Sequence, residues 1–176
     1  MTDFSDRILM DGPKKGRASK YRTYVLILVP LSAILFQVYV RRFVPAMEYL
    51  ELPLLVTVYF SLMRRQPVIG CFIGAAIGLV QDSLEHEPLG MFGIAKTLVG
   101  YFAASVSQRF DVENFALRFF LSLFFFVFHQ FFYWVIARAL LNQSVDFDLA
   151  QAGLFGVLNA VVSLPLFLVL DKLKET

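Results

Sequence analysis

Few residues in this chain have chemistry to offer, and most of them sit inside apolar runs. Asp82 closes one such run, and Lys96 lies seven residues beyond Leu89 in the next. At 1.5 Å per helical residue, Lys96 is about 10 Å inside its run. An ionisable group at that depth in a membrane segment is a functional hypothesis in its own right and needs a named partner. The link Ser83 to Pro88 is short enough to make the two runs antiparallel neighbours, so Asp82 is the partner to expect. The other reading is that Lys96 snorkels, with its stem along the apolar run and its ammonium at the interface.

The remaining candidates are weaker. His129 and Gln130 fall in the middle of a Phe-rich run, where a hydrogen bond to a neighbouring helix accounts for them. His86 is the other histidine and lies in a link. Two histidines and scattered carboxylates do not make a metal-ligand pattern, so no metal or other cofactor is expected. No motif pairs a nucleophile with a base, so the chain is not expected to be an enzyme. Gly90-Met91-Phe92-Gly93-Ile94-Ala95-Lys96-Thr97 approaches a phosphate-binding loop, but Ala95 stands where the motif needs glycine and no strand precedes it. Cys71 is the single cysteine and sits in an apolar run, where it packs as a small hydrophobe.

The elements that must hold these residues follow from composition. Of 176 residues, 58% are hydrophobic, 17% are charged and 20 are Phe. A soluble domain carries about 25% charged residues, and this many Phe in one would leave large apolar patches on its surface. Lipid removes that difficulty. The net charge of +2 gives no field that speaks for a nucleic-acid partner.

Six apolar runs can be read off: Tyr24 to Val40, Leu52 to Met63, Val68 to Val80, Leu89 to Ser107, Phe115 to Leu141 and Leu149 to Leu170. Helices are expected throughout, because lipid offers unpaired backbone groups no partner. The second run is short of the ~20 residues a span needs. It is expected to start near Ala46 and to carry Glu48 and Glu51 at the interface. Pro67 suits the first turn of the third helix. Asn159 and Pro165 mark a polar spot and a kink in the last. The expected fold class is all-α, a polytopic membrane protein of six transmembrane helices. Its two regions are a cytoplasmic basic tail over residues 1–22 and a six-helix transmembrane domain over 23–176.

Lys and Arg set the orientation. With the N-terminus inside, that face holds the tail's Arg7, Lys14, Lys15, Arg17, Lys20 and Arg22, then Arg64, Arg65, Arg109, Arg118, Lys172 and Lys174. The outer face holds Arg41, Arg42 and Arg138, and six spans return the C-terminus to the inside. Gly70, Gly74 and Gly78 recur every four residues on one helix face, and Gly93 and Gly100 repeat the device in the next helix. Small residues at that spacing let helix backbones approach closely, so these five are expected to pack helices.

The stretch Pro53 to Ser105 resembles the rod shape-determining MreD family. The likeness is carried by Pro53-Leu54-Leu55 with Tyr59, by Gly70, Gly74 and Gly78, and by Leu79-Val80-Gln81-Asp82. It continues through Pro88-Leu89-Gly90 and Gly93-Ile94-Ala95-Lys96-Thr97-Leu98-Val99-Gly100-Tyr101. The long basic tail departs from the family pattern. The resemblance implies a non-catalytic scaffold of the bacterial cell-elongation machinery in the inner (cytoplasmic) membrane, with both termini cytoplasmic. The implied partner is MreC and, through it, a SEDS-type glycosyltransferase, a class B penicillin-binding protein and the MreB filament. The implied fold is similar to that of the substrate-binding S-component of energy-coupling-factor transporters. That likeness raises the rival expectation of a vitamin-type substrate-binding subunit, with a polar outward pocket near Asp82, Lys96 and His86.

Overall fold

The computed structural model describes residues 21, 23–43, 49–85, 88–140 and 147–174. Almost all of the basic tail, Ala46, Glu48 and His86 therefore lie outside the described residues. The described residues form six helices and no strand: α1 Thr23–Phe43, α2 Leu52–Arg64, α3 Pro67–Glu85, α4 Met91–Ser107, α5 Phe115–Leu140 and α6 Leu149–Asp171. α1, α3, α5 and α6 are long and apolar enough to cross a membrane, while α2 and α4 are shorter apolar helices. Large apolar side chains such as Phe72, Phe120, Phe124 and Leu154 face outward, more than half exposed. A lipid solvent is the one in which that surface is stable. The protein is a polytopic α-helical membrane protein.

The short helix α2 is the hub. Every residue from Pro53 to Met63 is buried, and α2 touches all five other helices. Its 13 residues span about 20 Å, well short of a hydrocarbon layer of about 30 Å. The α-helix does not extend back toward Ala46: Tyr49, Leu50 and Glu51 precede it, and Glu51 is enclosed by the protein. Non-helical backbone at such depth must find its partners in the protein, and here two side chains supply them. Asn159 Oδ1 accepts from the Glu51 N–H at 2.9 Å, and Asn159 Nδ2 donates to the Tyr49 carbonyl at 2.8 Å. Gln37 Oε1 accepts from the Leu52 N–H at 2.9 Å. Pro53, in the first turn, has no N–H to satisfy. Neighbouring helices have thus taken the place of the missing turns.

α3 and α4 form the tightest pair. A methyl group added at Gly70 would overlap the backbone of Gly100, one at Gly74 that of Lys96, and one at Gly78 that of Phe92. As one index rises by four the other falls by four, which is the register of antiparallel helices in backbone contact. The link between them turns at Gly90, whose φ of 103° lies in the region that favours glycine.

At one end of the bundle, Tyr21 Oη donates to Tyr59 Oη at 2.9 Å, and Tyr59 Oη donates to Asp171 Oδ1 at 2.8 Å. Arg118 pairs with the same carboxylate and donates through Nε to the Val112 carbonyl. Lys174 reaches Asp171 at 2.7 Å. This Arg118 end joins α1, α2, α5 and α6. The opposite Arg41 end carries the other charged group, described next.

Candidate functional site

Lys96 is fully buried in α4, so it does not snorkel. Its Nζ lies 3.6 Å from Glu51 Oε2 at the start of α2 and 3.4 Å from His129 Nε2 in α5. The ring of Phe92, one turn back on α4, lies 4.4 Å from the ammonium and is within range of a cation–π contact. Phe92 also stacks on His129, with ring centroids 5.9 Å apart. His129 is itself buried. The ammonium thus has one carboxylate, one imidazole and one aromatic face around it.

Glu51 passes the arrangement on. Arg41, near the end of α1, lies 3.5 Å from Glu51 Oε1 and 2.9 Å from Glu85 Oε2 at the end of α3. Gln81 Nε2 donates to Glu85 Oε1 at 2.9 Å. Two cations and two carboxylates from four helices therefore alternate in one cluster, joined by His129 of a fifth. Glu51 and Glu85 are nearly enclosed, with side-chain exposures of 7% and 8%, against 30% for Arg41. Placing Glu51 so deep requires α2 to start late, and Asn159 from α6 holds its backbone there.

Asp82 has a different occupation. Its Oδ2 accepts from the N–H groups of Gly90 and Gly93, at 2.9 and 3.1 Å, and its Oδ1 from that of Phe92 at 2.9 Å. The first amides of a helix have no partner within it and carry its positive dipole end. The Asp82 carboxylate fills that place for α4 from the neighbouring helix. Asp82 and Lys96 lie in the same helix pair, but the carboxylate at ion-pair distance from Lys96 is that of Glu51. Gly93 belongs to both features, since its N–H meets Asp82 and a methyl there would press on Leu79. Sequence reasoning missed the roles of Arg41, Glu51 and Glu85 because they are distant in sequence and each sits at a helix end that reads as interfacial.

Two apolar cavities lie among the described residues, about 390 Å³ between α1 and α3 and about 270 Å³ beside Leu79, Gly93 and Thr97. Among the described residues, no group of three or more His, Cys, Asp or Glu could hold a metal ion.

Fold and site together define a class: a small polytopic membrane protein with a set of charged residues, Arg41, Glu51, Glu85 and Lys96, paired with one another in the helix bundle. The family model of the rod shape-determining protein MreD matches residues 18–175, nearly the whole chain, and the chain belongs to that family. No curated protein and no solved structure matches it.

Proposed function

We propose that the protein is a non-catalytic inner-membrane scaffold of the bacterial cell-elongation machinery, one that binds MreC and supports peptidoglycan synthesis and rod shape. Membership of the MreD family over residues 18–175 carries this reading. The chemistry of the interior supports it. Among the described residues, Arg41, Glu51, Glu85 and Lys96 are used on one another and Asp82 on backbone amides. Through MreC, the scaffold would act on a SEDS-type glycosyltransferase, a class B penicillin-binding protein and MreB. Both termini are assigned to the cytoplasm, because Arg64, Arg65, Arg109, Arg118, Lys172, Lys174 and the basic tail fall on one side. The Arg41 end then faces outward. Gly70, Gly74, Gly78, Gly93 and Gly100 serve the internal α3–α4 packing in this reading, which leaves α1, α5 and α6 to meet partners. A vitamin-type binding subunit would instead need a polar cavity at Lys96, where Phe92, His129 and Glu51 stand.

Co-expression with MreC and purification from a detergent extract tests the proposal. The two should elute as one complex; repeated failure to co-purify, with both present in the membrane, would remove the scaffold reading.

A further inference from the structure

α1 and α3 stand apart along an apolar groove of about 390 Å³, with Leu26, Pro30 and Ile34 on one wall and Ile69, Ile73 and Ala76 on the other. Protein interiors are close-packed, so a space of this size between two helices calls for an occupant. Its dimensions select one. From Leu26 to Ile34 the groove follows α1 for about 12 Å, and a helix about 10 Å across would fill roughly 900 Å³ over that length. The groove offers less than half of that, so a helix could only rest on its rim. A single hydrocarbon chain is thin enough to lie within it, and hydrocarbon is the apolar material that surrounds a membrane protein.

The charges at one end of the groove name the headgroup. α2 ends at Arg64, and Arg65 and Gln66 lead into α3 at Pro67, two residues before Ile69 of the groove wall. Phe60, one turn before Arg64 on the same face of α2, has its ring 5.4 Å from that of Tyr21. Arg64 therefore lies on the face of α2 that meets the start of α1, at the end of the groove where α1 and α3 both begin. The turn beside it is fixed. Arg65 takes a φ of 55°, its N–H donates to the Ser61 carbonyl at 3.2 Å, and its own carbonyl accepts from Gln108 Nε2 at 3.0 Å. Arg64 is half-buried, and its Nε has no hydrogen-bond partner among the described residues. A guanidinium so placed is costly unless an acceptor meets it, and a phosphate oxygen is one that binds it strongly. The sequence adds Lys14, Lys15, Arg17, Lys20 and Arg22 just before α1, and a basic cluster next to a membrane helix attracts anionic lipid. We infer that the α1–α3 groove is a binding site for one anionic phospholipid, with an acyl chain between the two helices and the phosphate at Arg64. In the proposed orientation that lipid belongs to the cytoplasmic leaflet. The site does not depend on MreC.

The test is native mass spectrometry of the full-length protein released from lipid nanodiscs that hold phosphatidylglycerol and phosphatidylcholine in equal amounts, with the same acyl chains. The protein should retain one lipid, and phosphatidylglycerol should exceed phosphatidylcholine in that place by at least about fivefold, the preference one basic residue gives near a membrane surface. Arg64→Gln should lower the ratio about fivefold, and Arg64→Lys, which keeps the charge, should retain most of it. Ala76→Phe and Leu31→Trp fill the groove from opposite walls, both from exposed positions. Each should remove the retained lipid of either kind and leave the helical content unchanged. If one variant does not stay monodisperse, the others decide. A wild-type protein that retains the two lipids equally overturns the proposal, as does an unaltered ratio in Arg64→Gln. So does a groove-filled variant that keeps phosphatidylglycerol as before, because the headgroup would then be held elsewhere. A wild-type protein that retains no lipid overturns it too and leaves the rim of the groove to a partner helix.

Discussion

A buried ammonium is stable only while its counter-charge stays with it. Glu51 holds that place for Lys96, and the cost of separating them sets the first prediction. Glu51→Ala leaves Lys96 uncompensated and should destabilise the protein by about 3–5 kcal/mol. Glu51→Leu combined with Lys96→Met removes both charges and should recover most of that loss, because a buried pair contributes little beyond its own desolvation. Denaturation of the wild type, Glu51→Leu, Lys96→Met and the double variant in mixed micelles gives the coupling directly; additive losses would mean that the two side chains do not act as a pair. Asp82 belongs to a different account. Its oxygens take three backbone N–H groups that have no other partner. In Asp82→Asn one of the two oxygens becomes a donor facing donors, so a loss of about 1–3 kcal/mol is expected. That loss should persist in the Lys96→Met background. If it disappears there, Asp82 was serving the lysine rather than the helix.

Helix packing is where the glycines act, and they do not act alike. Gly74 lies against the backbone of Lys96, whereas Gly153 has nothing within 4 Å of an added methyl group. Gly74→Ala must therefore push α3 and α4 apart and should cost about 1–3 kcal/mol or more. Gly153→Ala meets open space in a helix interior and should be neutral or stabilising by up to ~1 kcal/mol. Thermal unfolding of the two variants side by side checks the contrast; equal effects would mean that the α3–α4 contact does not limit stability. These elements were largely legible in the sequence. The run Leu52 to Met63 became α2 to within one residue, and Phe115, Ser107 and Leu149 mark helix ends where they were expected. Charges, Pro67 and short polar links cut the apolar runs cleanly. Their pairing was less legible. The short link put Asp82 close to Lys96, but it put the free amides of α4 closer still, and three backbone donors took the carboxylate. The true partner depended on how deep α2 begins. That depth is set by Asn159 and Gln37 on other helices, not by any local pattern around Glu51.

For the molecule as a whole, the two ends are held by different devices, and the difference bears on orientation. At one end Tyr21, Tyr59, Arg118 and Asp171 join the start of α1 to α2, α5 and α6; at the other the Arg41–Glu51–Lys96–Glu85 cluster joins α1, α2, α3 and α4, so α1 and α2 are common to both. The connections fix which helix ends lie together, so one experimental anchor orients everything. In the proposed orientation, the surplus of Lys and Arg puts the Arg118 end in the cytoplasm. Single cysteines introduced into a Cys71→Ala protein at exposed positions test it. Phe110→Cys and Leu173→Cys lie at the Arg118 end, and Leu89→Cys and Leu149→Cys at the other. A membrane-impermeant thiol reagent added to cells with a permeabilised outer membrane should label positions 89 and 149 at once. Positions 110 and 173 should react only after the inner membrane is opened. The reverse pattern would invert the protein. Labelling of 89 and 110 together in intact cells would mean that α4, with its 17 residues, does not carry the chain across. The buried position of Lys96 would then have to be explained by a helix that turns back within the bilayer.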